Sequence, residues 1–133
     1  MKLKMIQELK DNQIEELKSM KIKKIIYFYS SFNIKSNLIF ETIEEISKLY
    51  QKKDNTIFYK VNVSYNPQLT NFFQIKNIPF VIFIDENNKI IEFLEKEINE
   101  DTLIENFKNN FPLKSTLKEI ILNMFKKKEN VNA

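Results

Sequence analysis

Two runs, residues 25–29 (IIYFY) and 80–84 (FVIFI), most constrain what this chain can fold into. Each is apolar at every position and too short for a buried helix, the pattern of a strand covered on both faces. Between them lies a helical period. Leu38, Ile39, Thr42, Ile43, Ile46, Leu49 and Tyr50 line one stripe of residues 36–51, with Glu41, Glu44, Glu45 and Lys48 opposite. A strand, a long helix and further strands in that order predict an α/β fold built on a parallel crossover.

The rest of the chain supplies the remaining elements. Residues 57–63 alternate, with Tyr59, Val61 and Val63 on one face and Lys60 and Asn62 on a wetter one. Asn66 reads as the cap, and Pro67 as the first turn, of a helix buried through Leu69, Phe72 and Phe73. Residues 85–89 turn the chain, and residues 90–94 return as an antiparallel edge. Asn99 caps a helix carrying Leu103, Ile104, Phe107 and Phe111, which Pro112 ends. Upstream, residues 3–9 read equally as an edge strand or as the start of a helix. Asn12 with Glu15 makes a capping pattern for a short first helix that buries Ile14 and Leu17. Two segments result: a domain over residues 1–112 and an extension over residues 113–133. In the extension, Thr116 and Glu119 box an amphipathic helix whose stripe is Leu117, Ile120, Ile121, Met124 and Phe125.

Composition removes whole classes of chemistry. The chain has no Cys, His, Trp, Gly or Arg. There is therefore no thiolate nucleophile, no imidazole base, no zinc site of the usual ligands and no glycine loop to cradle phosphate. Turns that need positive φ must use Asn or Asp, and Asn87-Asn88 is the clearest candidate. Net charge is +3, and all of the excess sits in residues 113–133. Residues 85–105 are acidic, which fits a solvated face and not the basic stripe of a general nucleic-acid binder. No apolar run is long enough to span a membrane.

The strand–loop–helix of residues 25–51, the segment Tyr59-Lys60-Val61-Asn62-Val63 and Asn77-Ile78-Pro79 ahead of a strand together resemble the thioredoxin family, over residues 3–111. That resemblance implies a central mixed β-sheet flanked by helices, to which the C-terminal amphipathic helix is an addition. It also implies a cis peptide at Pro79, facing the active-site loop. In the family that loop carries Trp-Cys-Gly-Pro-Cys, whereas here it reads Phe32-Asn33-Ile34-Lys35-Ser36. Asn33 stands in the place of the attacking Cys and Ser36 in that of the resolving Cys. Tyr27 replaces the buried Asp that assists proton transfer. A carboxamide cannot attack a disulfide sulfur, and a hydroxyl is a far poorer nucleophile than a thiolate, so dithiol oxidoreductase chemistry is excluded. Ser36 reads otherwise as a helix N-cap, or as a residual ligand-binding hydroxyl.

By the same resemblance, cysteine-less relatives of this fold serve as substrate-binding domains, as chaperone-associated adaptors and as structural subunits of large assemblies. Cytoskeletal, microtubule-associated and ribonucleoprotein assemblies are among them. The expectation is a redox-inactive, non-enzymatic adaptor or structural subunit that binds another protein in the cytoplasm, without cofactor, metal or membrane. Its binding groove would comprise Phe32, Asn33, Ile34, Lys35, Ser36, Ile78 and Pro79, with the Ile78 backbone pairing an extended peptide. The competing expectation folds Phe32 and Ile34 onto the body of the domain. The C-terminal stripe either docks on its own domain or binds a second protein. Two alternatives differ in class. One is a glutathione-type enzyme using Ser36 and the Ile78-Pro79 backbone, with Lys35 and Lys76 as the nearby cations; the other is a nucleic-acid module acting through residues 113–133.

Overall fold

The computed structural model describes residues 6–113 and 124–125. Five strands, β1 (Gln7–Glu8), β2 (Lys24–Tyr29), β3 (Ile57–Asn62), β4 (Phe80–Ile84) and β5 (Ile90–Glu95), form one sheet in the order β1-β3-β2-β4-β5. β1 and β2 run parallel to β3, β4 runs antiparallel to β2, and β5 returns antiparallel to β4. The helices are α1 (Ile14–Ser19), α2 (Ile34–Lys53), α3 (Pro67–Phe72) and α4 (Glu100–Asn110).

The sheet carries a core on each face. On one, Ile25, Tyr27, Phe58, Val81 and Phe83 meet Ile39, Ile43 and Tyr50 of α2 and Leu103 and Phe107 of α4. Phe107 stacks on Phe58 with ring centres 5.7 Å apart and meets Phe83 edge-on at 4.8 Å. The Tyr50 hydroxyl lies within donating distance of the carbonyls of Phe107 at 3.1 Å and Phe111 at 2.5 Å, tying α2 to the C-terminal end of α4. On the other face, Ile26, Phe28, Val61, Ile82 and Ile84 lie under Leu17 and Leu69, from α1 and α3, helices of only 6 residues each.

Several details differ from the sequence pattern. β3 has no wet face: Phe58 fills one core while Tyr59 and Val61 fill the other, and Asn62 is buried as well. A strand between two parallel neighbours is covered by helices on both sides. Phe72 lies on the exposed side of α3, so of the expected trio Leu69 alone is fully buried. Asn12 caps nothing; residues 11–13 form a 3₁₀ turn in front of α1. Asn88 takes the left-handed turn position at φ 63°, as do Asn55, Gln74 and Lys96 elsewhere. Of the C-terminal stripe, Leu117, Ile120 and Ile121 lie outside the described residues. Met124 borders a hollow with Glu41, Glu45 and Lys48 of α2, and Phe125 borders one with Ile104, Glu105 and Lys108 of α4. Both residues thus stand over the α2–α4 layer of their own domain.

Candidate functional site

The pairing of Phe28 with Phe80 and of Tyr29 with Asn62 brings three connections to one end of the sheet. They are the loop from β2 into α2, the loop from β3 into α3, and the segment entering β4. A polar network joins the first two. The Ser30 and Ser64 hydroxyls lie 3.4 Å apart, Asn62 donates its amide to the Ser31 hydroxyl at 3.3 Å, and Ser64 donates its N–H to the Asn62 side chain at 3.1 Å. The Phe32 N–H is donated to the Ser30 hydroxyl at 3.3 Å. With its backbone held this way, Phe32 projects into solvent.

Asn33, not Ser36, caps α2. The helix begins at Ile34, and the Asn33 carbonyl oxygen of the side chain accepts the Ser36 N–H at 2.9 Å. Ser36 therefore sits in the first turn, buried, with its hydroxyl oxygen lacking any partner. Ahead of Ser36 lies the phenol of Tyr27, which donates to the Ser36 carbonyl. Burial pushes the Tyr27 phenol well above its ordinary value, and the hydrogen bond to Ser36 offsets only part of that shift. The slot that holds thiol chemistry in the resemblance is here a closed, neutral contact between β2 and α2.

What remains at the surface is apolar. Phe32 is 85% exposed, Ile34 77%, Leu38 73% and Tyr65 73%, the four highest exposures among the large apolar side chains described. Ile34 and Leu38 stand one turn apart on α2 and share a face. Lys35 is exposed beside them. Ile78 is half-buried, with part of its side chain packed against the core on the side that α1 and α3 cover. Pro79 is buried, and the Ile78–Pro79 peptide bond is cis. Neither Leu38 nor Tyr65 is among the groove residues expected from the sequence. Leu38 belongs to the stripe expected to be buried, yet it lies about 100° around the helix from Ile39, well outside the narrow arc that Ile39, Ile43, Ile46 and Tyr50 define. Tyr65 follows β3 directly, in a loop whose place at this end of the sheet depends on pairing distant in sequence.

The family model for thioredoxin matches residues 4–109, most of the chain. This chain belongs to the thioredoxin family. With no cysteine in the chain, it is a member that lacks the family's dithiol. No curated protein matches it. Among the described residues, no helix is long and apolar enough to cross a membrane.

Proposed function

We propose that this thioredoxin-family domain is a non-enzymatic protein-interaction module, an adaptor or structural subunit that holds an apolar, extended segment of a partner protein. The segment lies across Phe32, Ile34, Leu38 and Tyr65. One observation carries the reading: among the described residues, the four most exposed large apolar side chains belong to the sheet end where the family does its chemistry. Apolar surface so concentrated on a small domain marks a contact site. The polar network under Phe32 presents it from an ordered backbone, which lowers the entropic cost of binding. The glutathione reading loses its main group, because the Ser36 hydroxyl is buried behind the first turn of α2.

The test is peptide selection against the purified chain, followed by titration of the enriched peptides into isotopically labelled protein. Apolar peptides should shift the amides of Phe32, Ile34, Leu38 and Tyr65, and Phe32→Asp with Ile34→Asp should abolish binding without loss of fold. Binding that survives the double change, or no enrichment over a neutral control, would remove the proposal.

A further inference from the structure

At the opposite end of the sheet, the short α1 and α3 leave a hollow of about 400 Å³ against the β4–β5 hairpin. Leu17, Phe73, Ile84 and Ile90 form its apolar wall. Its polar residues include two lysines. Lys18 stands half-exposed at the mouth, paired with Glu15 at 3.3 Å. Lys24 is only 1% exposed.

Lys24 is the more informative of the two. Its ammonium donates to the Met20 carbonyl and the Asn88 side-chain oxygen, both neutral acceptors. Among the described residues it makes no ion pair. Asp85 acts on it through space alone, and burial outweighs that attraction, holding the Lys24 pKa below its ordinary value. An ammonium has three donors, and two are used here. Buried charges are ordinarily paired, so a cation with neutral partners on the wall of an apolar hollow of ligand size lacks a counter-ion.

We infer that the hollow binds an amphipathic carboxylate of the fatty-acid class, its chain along Leu17, Phe73, Ile84 and Ile90 and its head group on Lys24. This site is separate from the Phe32 surface, and either stands without the other.

Titration of labelled protein with decanoate and with decanol tests it. Decanoate should give saturable shifts at the amides of Leu17, Phe73, Ile84 and Ile90. It should bind about tenfold more tightly than decanol, as a charge-assisted hydrogen bond predicts. Lys24→Met should erase the difference. Should that variant fail to fold, Ile90→Glu sets a like charge on the half-exposed wall and should abolish decanoate binding. Equal affinity for decanoate and decanol, shifts confined to other residues, or decanoate binding unchanged by both variants would each overturn the inference.

Discussion

Asp11 and Asn66 cap each other's helical turns across the sheet connections. The Asp11 carboxylate accepts the N–H groups of Gln68 at 3.1 Å and Leu69 at 2.7 Å, two of the orphan donors at the start of α3. In return, the Asn66 side chain accepts the Asp11 N–H at 3.1 Å, at the head of the 3₁₀ turn before α1. This is the logic of a capping box with its halves on different elements. It fixes α3 to the N-terminal segment, and with α3 the start of the path that leads to Ile78 and β4.

Asp11→Ala should therefore cost about 1–2 kcal/mol although Asp11 lies in a short 3₁₀ turn, the range for loss of a helix cap. Asn66→Ala should also destabilise, because the Asn66 amide additionally donates to the Asn62 carbonyl at 2.9 Å. The two losses should not add, since each change leaves the other partner with a weakened role. Urea midpoints of both single variants and the double variant measure this; strict additivity would mean that the two caps act independently.

This pair also shows what the sequence could and could not disclose. Asn66-Pro67 marks the start of α3 correctly, because Pro at the first turn is a local signal. The residue whose side chain satisfies that start is 57 positions away from Gln68, beyond any window of periodicity. The same division runs through the molecule. β2 and β4 are legible because strands buried on both faces need unbroken apolar runs, and α4 because Asn99 and Thr102 form a local capping box. β3 reads as one-sided in sequence because its alternation is genuine, while the cover over Phe58 comes from Tyr50 and from Phe107, the latter far along the chain. At the site, Phe32 and Ile34 were visible as apolar residues in a loop and a first turn. Ile78 is packed partly against the core, and Tyr65 is brought to this end of the sheet, by tertiary pairing that no local pattern records.

The exchange of cap roles at the α2 start gives opposite mutational signs at neighbouring positions. Asn33→Ala removes the acceptor for the Ser36 N–H and should cost about 1 kcal/mol. Ser36→Ala deletes a buried hydroxyl that has no partner, so it should be neutral or stabilising by up to about 1 kcal/mol. Thermal denaturation of the two variants decides it. A loss in Ser36→Ala equal to that in Asn33→Ala would restore Ser36 as the capping residue.

Buried phenols make stability fall at alkaline pH. Burial raises the Tyr27 and Tyr50 phenols far above their ordinary value, and raises Tyr29 and Tyr59 in the same direction, with the charges of Glu8 and Glu16 adding to the latter two. The folded chain keeps protons that the unfolded chain releases above about pH 10. The associated stability is thus complete below about pH 10 and is lost as pH climbs from there toward the folded values. Lys24 has the opposite sign, because its folded pKa is lowered by burial and the unfolded chain holds the proton up to its ordinary 10.5. Urea midpoints should drop above about pH 10 as the phenols of the unfolded chain ionise. The drop should be shallower in the Tyr27→Phe, Tyr50→Phe double variant. An unchanged alkaline limb in that variant would show that other groups set it.

Reintroducing the two thiols separates the lost nucleophiles from the lost proton relay. In the Asn33→Cys, Ser36→Cys double variant, the first thiol occupies the cap position, where the Ser36 N–H and the helix N-terminus favour a thiolate. The second occupies the closed slot beside Tyr27, within one helical turn of the first. The two should oxidise to an intramolecular disulfide, read as loss of free thiols that returns on reduction. Turnover of a protein disulfide should nonetheless remain slow, because the neighbouring Tyr27 phenol keeps its proton and cannot serve as a base near neutral pH. Fast turnover would show that the thiols alone were missing and that Tyr27 is no obstacle. Failure to form the disulfide would mean that Asn33 and Ser36 no longer hold the spacing that the family's chemistry needs, which would place the departure from dithiol function in the backbone as well as in the side chains.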